Sequence, residues 1–143
     1  MIASVILASF SPVDAKLPKQ HFQSTMEYLL GQGLDLEVCV AQVVRKGQEP
    51  VPTLGASTSL VFESDDKIFF KENLWNLAAA HAITDKFIFI DADLYYKDED
   101  WLDQICAALN EYDVIQPFDV ANWDMRNGEV NPTVRKPRGL MPS

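Results

Sequence analysis

The sequence predicts an α/β fold with a mostly parallel central sheet. Short runs of apolar and β-branched residues alternate along the chain with segments whose apolar residues follow one helical face. The run at residues 87–90 is continuously apolar, which is typical of a parallel strand covered on both faces. With 143 residues, 48% of them hydrophobic, the chain has the length and composition of one domain with a sizeable core.

The first elements are predicted as strand, helix and strand. Residues 3–10 are apolar and β-branched, and the serine and proline that follow close the run, which indicates a buried strand. In residues 18–30 the apolar side chains recur at helical spacing, and Gly31 and Gly33 supply the stop. Residues 36–44 are strand-like again. This order is the beginning of an α/β fold.

The middle of the chain repeats the pattern after a loop. Residues 46–57 contain two prolines and two glycines and have no periodicity. A brief strand at residues 60–62 and a helix from about residue 69 to residue 83 follow, and the apolar strand at residues 87–90 comes next.

The C-terminal third is predicted to be less regular. Asp98 is the expected N-cap of a helix, whose acidic first turn complements the helix dipole. A further strand is predicted at residues 114–118, and residues 121–143 are expected to be irregular because glycine and proline recur there. The buried face of the helix is assigned to Trp101, Leu102, Ile105 and Leu109.

Charge and cysteine content restrict the class of partner. A net charge of −9 disfavours nucleic acid and anionic lipid, so an anionic ligand would need a cation or local positive groups. Cys39 and Cys106 lack the spacing of a metal site, which predicts reduced thiols in a cytoplasmic protein. The apolar N-terminus lacks the positive residues of a signal peptide and is shorter than a membrane span.

Two aspartates follow the predicted fourth strand in the stretch FIFIDADLYY. Asp91 and Asp93 are two residues apart, and such residues on a strand point to the same side. Neighbouring carboxylates repel unless a proton, donors or a cation lie between them, and Mg²⁺ or Mn²⁺ with substrate phosphate is the cation that suits two carboxylates. The alternative is structural, with Asp91 capping a turn and Asp93 starting a loop.

Several segments in order carry a resemblance to a known family. KIFFKENLWNLAAAHA places Lys71 five residues before Asn76 at the start of a helix of small residues, and FIFIDADLYY and DEDWLDQICAAL follow it. ILASFS stands at the front of the chain. In these features the chain resembles the GT-A glycosyltransferases, particularly the family-2-like group that uses nucleotide-sugar donors.

The resemblance implies a Rossmann-like GT-A fold with three α/β/α layers, incomplete at its C-terminus. Residues 1–120 would form the donor-binding domain, and residues 121–143 would begin a missing or truncated acceptor half. It also implies site residues. Asp91 and Asp93 would hold the metal, with Asp91 also near the ribose; Lys71 would lie near the nucleotide, Asn76 would fix the loop before the DxD strand, and Ala8, Ser9 and Phe10 would line the base pocket.

The implied activity is transfer of a sugar from a UDP- or GDP-sugar, bound through Mn²⁺ or Mg²⁺, to an acceptor hydroxyl. The acceptor could be a glycan, a lipid-linked molecule or a protein, and nucleic acid is not expected. Two other functions stay open: a non-catalytic nucleotide-binding or interaction domain, and a nucleotidyltransferase. The latter usually has a glycine-rich basic loop after its first strand, whereas SFSPVDAKLPK has no glycine.

The chain departs from the family pattern in two places. Ala41 and Gln42 stand near the end of the second strand, where the family usually carries an acid. No carboxylate is singled out as the general base, although Asp119, Asp124 and Glu129 are available. A truncated chain or gene fragment, an enzyme completed by a partner chain, and a donor-binding remnant are the three explanations for the missing acceptor half.

Overall fold

The structure, a computed structural model, describes residues 1–10, 16–66, 68, 70–118, 120–124 and 130–135, and for 16–18, 120–124 and 130–135 it describes the backbone. A four-stranded sheet forms its main body. The strands are β1 (Ala3–Phe10), β2 (Leu36–Val44), β3 (Thr58–Glu63) and β4 (Phe87–Phe89), and the helices are α1 (Lys16–Gly31), α2 (Lys71–Ala79) and α3 (Trp101–Glu111).

The four strands are all parallel and lie in the order β3-β2-β1-β4. The predicted α/β class is therefore confirmed, and β1 and β2 have the predicted bounds. β1 pairs with β2 along its whole length, whereas β4 pairs with β1 over only three residues, from Ser4↔Phe87 to Ile6↔Phe89. This order and these parallel pairs are compatible with a Rossmann-like sheet.

Both faces of the sheet are buried in its middle strands. On one face, Leu74 and Ala78 of α2 pack with Ile6, Ala8 and the odd-numbered residues 39 to 43 of β2. On the other face, β1 and β2 present a second set of fully buried apolar side chains. α1 connects β1 to β2, and right-handed crossovers place it on the face opposite α2. The second set is Val5, Leu7, Val38 and Val40, and α1 adds the buried Phe22, Met26 and Leu29.

A buried polar cluster closes the amino-terminal end of the sheet. Glu37, on β2, is 2% exposed and accepts hydrogen bonds from the Ser4 hydroxyl and from the Ile83 backbone N–H, the latter at 2.6 Å. Ser4 Oγ also lies 2.5 Å from Thr84 Oγ1. These bonds join β1 and β2 to the connection between α2 and β4. Each of these polar groups has a hydrogen-bond partner.

The chain divides into two compact units, Met1–Glu99 and Asp100–Ser143. This division falls earlier than the predicted change at residue 120. The second unit contains α3 and an antiparallel pair, β5 (Val120–Asp124) and β6 (Val130–Arg135). None of the helices in the described part of the chain is long and apolar enough to cross a membrane.

The β5–β6 pair corrects the prediction that residues 121–143 are irregular. Its register shifts between Ala121↔Val134 and Trp123↔Asn131, so Pro132 lies in a bulge where the missing proline N–H breaks no ladder bond. Conversely, the strand predicted at residues 114–118 does not form, and Pro117 removes one donor there.

Two smaller predictions about helix and strand ends are also wrong. α3 begins after Asp100, not Asp98, and the Asp100 carboxylate accepts from the Gln104 side chain at 2.6 Å rather than from a helix N–H. β4 is not covered on both faces, because Phe87 and Phe89 are 41% and 44% exposed. An edge strand with one buried residue can carry a continuous apolar run, so the run alone did not establish coverage.

Candidate functional site

The candidate site lies where the strand order of the sheet reverses. From β1 the chain moves to β2 and β3 on one side, and it then crosses to β4 on the other side of β1. At such a reversal the connections that follow the two adjacent strands usually diverge, so a crevice is expected at the carboxyl ends of β1 and β4. In open α/β sheets this is the position at which ligands bind.

At the expected crevice, β1 continues beyond its pairing with β4. The last bond between them runs from Ile90 N to the Ile6 carbonyl at 3.3 Å, and β1 continues to Phe10. Ala8, Ser9 and Phe10 are thus paired with β2 but extend beyond the described pairing with β4. Ser9 and Phe10 are half-buried; the Ala8 side chain belongs to the core under α2, and Phe10 packs against that core. Their predicted contact with a base stays a prediction.

Asp91 and Asp93 lie after the strand, not on it. β4 ends at Phe89, and residues 92 and 93 form a turn. The expectation that both carboxylates point to one side assumed that the two residues belong to a strand, and this assumption is wrong. Both residues are exposed at the rim of the crevice.

The structure brings together two residues that the sequence separates by twenty positions. Lys71 Nζ lies 3.2 Å from Asp91 Oδ1, and the ammonium also lies 4.8 Å from the centre of the Trp75 ring. The Trp75 ring in turn contacts Phe89 of β4, with 5.4 Å between ring centres. Lys71, which was predicted to lie near the nucleotide, and Asp91, which was predicted to hold the metal, are therefore in contact.

The N-terminus of α2 adds positive potential beside this pair. Lys71 is the first residue of α2, and Phe70 precedes it without a side-chain cap. The first-turn N–H groups of a helix have no partner within the helix, and the dipole makes this end favourable for an anion. Trp75 Nε1 is also buried and has no acceptor among the described residues, which is a cost that an acceptor nearby would offset.

α1 holds the acidic turn and the loop behind it. Thr25 is fully buried and donates its hydroxyl to the Ala92 carbonyl at 2.8 Å. One helical turn later, Tyr28 Oη donates to the Tyr96 carbonyl at 3.0 Å and accepts from the Tyr96 N–H at 3.2 Å. The Tyr28 ring also contacts Tyr95 edge to face, at 4.9 Å between centres. The loop is thus fixed at both ends.

Neither of the shifted pKa values belongs to a nucleophile of this site. Burial, with a smaller contribution from Tyr28, raises the pKa of Tyr96 to about 12, so its hydroxyl stays protonated at neutral pH. Burial, followed by the charge of Glu37, raises the pKa of the Cys39 thiol. A buried thiol with a raised pKa is unreactive, which agrees with the expectation of a packed cysteine.

The predicted site residue Asn76 lies on the exposed side of α2. It lies inside α2 instead of opening it, and is about 200° around the helix axis from the buried Leu74. Its predicted role in fixing the loop before β4 stays a prediction.

Gln42 occupies the region where the related family usually carries an acid. It is 2% exposed, and its side-chain amide makes two bonds to the backbone of Val51, at 2.8 and 2.9 Å. The residue therefore anchors the loop after β2 and leaves no carboxylate there. The candidates for a general base lie outside the described residues: Asp119, Glu129 and the side chain of Asp124.

The two aspartates could supply some of the ligands of a hard cation. Asp91 and Asp93 offer carboxylate oxygens without nitrogen or sulfur, which is the chemistry that Mg²⁺ and Mn²⁺ prefer. No group of three or more His, Cys, Asp or Glu side chains that could hold a metal occurs in the described part of the chain. A cation here would take the rest of its ligands from phosphate and water.

Comparison with known proteins adds no relative. No protein-family model matches the chain, and no curated protein or solved structure matches it. A proposal about function therefore rests on the residues at the carboxyl ends of β1 and β4.

Proposed function

We propose that the protein binds a nucleoside-diphosphate sugar through a divalent cation and transfers the sugar to an acceptor hydroxyl, as the GT-A glycosyltransferases it resembles do. The single observation that carries the proposal is the contact between Lys71 and Asp91 at the reversal of strand order. It places a positive side chain and a helix N-terminus beside an exposed acidic turn. A metal-bound diphosphate requires both kinds of group.

Each group has a separate task in this proposal. Asp91 and Asp93 would hold Mn²⁺ or Mg²⁺, which when bound supplies the positive charge that stabilises a departing diphosphate. Lys71 and the first-turn N–H groups of α2 would bind phosphate oxygens directly. Ser9 and Phe10, at the open end of β1, would face the nucleoside. Thr25 and Tyr28 would keep the acidic turn in place during binding.

The proposal extends to donor, acceptor and location. A UDP- or GDP-sugar is the donor class, and a cytoplasmic location belongs to the same proposal. A cation would also let a chain of net charge −9 bind an anionic donor. The proposal also allows for a partner chain that supplies the acceptor half.

The test is calorimetric titration of UDP, GDP and their sugar conjugates in the presence of MnCl₂. Asp93→Asn should lower the affinity for the nucleotide at least about tenfold, since it removes a direct metal ligand. Asp98→Asn is the matched control, because Asp98 is an exposed aspartate of the same segment with no proposed role. It should bind as the unsubstituted protein does.

Two results would contradict parts of the proposal. Equal nucleotide binding by Asp93→Asn and the unsubstituted protein would remove the metal assignment. If the donor binds but no nucleotide-sugar of a broad panel is hydrolysed with Mn²⁺ or passes its sugar to any acceptor, the protein is a non-catalytic nucleotide-binding domain instead.

A further inference from the structure

Lys71 has two alternative partners for its ammonium group. Asp91 Oδ1 lies at 3.2 Å and the centre of the Trp75 ring at 4.8 Å. The ion pair is open to water, because the Lys71 and Asp91 side chains are 31% and 57% exposed. Exposed pairs of this kind are weak, so a competitor for the carboxylate can break the pair at little cost.

We propose that Lys71 is the resident counter-ion of Asp91, that a divalent cation displaces its ammonium from the carboxylate, and that the released ammonium then binds a phosphate of the nucleotide. This inference rests on the proposed function. It adds an exchange of partners: one carboxylate serves first the lysine and then the metal.

The competition follows from charge and geometry. A lysine ammonium and a divalent cation cannot both take the best position on one carboxylate oxygen, and the divalent ion gains more from it in an exposed site. The Trp75 ring then matters, since its face keeps a favourable contact for the ammonium after the exchange. Trp75 is held in turn by Phe89 and the core.

The release places Lys71 where phosphate is favoured. Lys71 is the first residue of α2, whose uncapped first turn presents N–H groups and the positive end of the dipole. The ammonium therefore adds to an anion-favouring position instead of being left without a partner. Metal and nucleotide diphosphate should then bind with positive cooperativity, because each favours the state in which the ion pair is open.

The experiment measures Mn²⁺ binding without nucleotide, by the electron paramagnetic resonance signal of free Mn²⁺, and UDP or GDP binding with Mn²⁺, by calorimetry. Lys71→Met should bind Mn²⁺ alone about two- to fivefold more tightly than the unsubstituted protein, because the competitor is gone. The same variant should bind the nucleotide with Mn²⁺ about tenfold more weakly, because a charged phosphate contact is lost. The two effects have opposite signs.

Two matched variants show whether the effect belongs to Lys71. Lys71→Arg keeps a cation beside Asp91 and should bind free Mn²⁺ as the unsubstituted protein does. Lys97→Met removes the same charge from the exposed Lys97, close in sequence to the acidic turn, and should shift Mn²⁺ binding by less than twofold. Circular dichroism of each variant checks that it is folded.

The outcomes separate this inference from the proposed function. If Lys71→Met binds Mn²⁺ alone no more tightly than Lys71→Arg, the exchange is wrong even where Mn²⁺-dependent nucleotide binding is intact. If the unsubstituted protein binds UDP or GDP equally with and without metal, and Lys71→Met abolishes it, Lys71 acts in place of a metal and the exchange is also wrong. Absence of any nucleotide binding overturns the proposed function itself.

Discussion

The two ends of the parallel sheet treat their polar groups in opposite ways. At the amino-terminal end, Glu37 is buried and accepts from Ser4 and from the Ile83 backbone. At the carboxyl end, Asp91 is more than half exposed, with one lysine beside it that also contacts Trp75. One carboxylate is enclosed by its partners, whereas the other can exchange them.

This difference indicates which end stabilises the fold and which end can bind. A buried carboxylate with several donors is costly to remove because its partners lose their acceptor, and it is not accessible to a ligand. An exposed pair contributes little to stability, but its groups can change partners at low cost. The two ends should therefore respond oppositely to substitution, in stability at one end and in ligand affinity at the other.

The largest expected effect on stability is at the buried end. Glu37→Leu removes the acceptor of the Ser4 hydroxyl and of the Ile83 N–H, and should lower the free energy of unfolding by roughly 3 kcal/mol. Urea unfolding followed by circular dichroism measures this change. Binding of Mn²⁺ and UDP or GDP by the folded fraction should not change, because the carboxyl end of the sheet is untouched.

Glu37→Gln provides the comparison for that variant. It keeps an acceptor oxygen of the same shape, so it should lose less than half of the stability that Glu37→Leu loses, and it remains useful if Glu37→Leu does not fold. A loss of nucleotide affinity in folded Glu37→Gln would show that the two ends of the sheet are coupled. That result would contradict the division drawn above.

A smaller, pH-dependent effect is expected at the loop behind the acidic turn. The pKa of Tyr96 is raised from 10.0 to about 12, so between these pH values the folded protein keeps a proton that the unfolded chain has lost. Stability from this group is thus complete below pH 10 and is lost as the pH rises toward 12, by roughly 2 kcal/mol in total. Urea unfolding at pH 9 to 12 measures the fall.

Tyr96→Phe removes the ionisable group and keeps the backbone bonds to Tyr28. Its stability should fall less steeply above pH 10 than that of the unsubstituted protein. Tyr112→Phe replaces an exposed tyrosine and should leave the fall unchanged. If the free energy of unfolding falls equally with pH for the unsubstituted protein and for Tyr96→Phe, the Tyr96 hydroxyl is hydrated, in contrast with its position in the structure.

Much of the fold could be predicted from the sequence because its strands are long and apolar. β1 and β2 lie in the middle of the sheet and are buried along most of their length, so their composition alone indicated their bounds. The β5–β6 pair could not be predicted, because a bulge accommodates Pro132 and a bulge depends on the partner strand. The strand predicted at residues 114–118 failed for the related reason that an apolar run needs a neighbour to pair with.

The site could be predicted only as a set of separate candidates. Asp91, Asp93 and Lys71 were indicated by residue type and by resemblance, but no local pattern states that Lys71 and Asp91 meet. Trp75 was not among the residues that the resemblance indicated, although its position four residues after Lys71 was a signal for a contact on one helical face. Thr25 carried no signal, because its partner is a backbone carbonyl sixty-seven positions away.

The smallest expected effect on stability, with the sharpest contrast between the ends, is at Thr25. Thr25→Val keeps the shape of this buried side chain and removes only the hydroxyl that donates to the Ala92 carbonyl, so it should cost about 1 kcal/mol of unfolding free energy. The acidic turn would then lose its anchor to α1. Under the proposed function, Mn²⁺-dependent binding of UDP or GDP should weaken by about tenfold, since the turn would have to be held in position to ligate the metal.

Thr25→Ser keeps the hydroxyl and is the control for Thr25→Val: it should retain nucleotide affinity while losing a methyl group from the core. The pair of variants therefore separates packing from positioning at a single residue. If both lose affinity equally, the turn responds to core packing and not to the Ala92 bond. If only Thr25→Val loses it, a buried hydroxyl of α1 sets the affinity of an exposed turn, which is the reverse of the balance expected for Glu37→Leu.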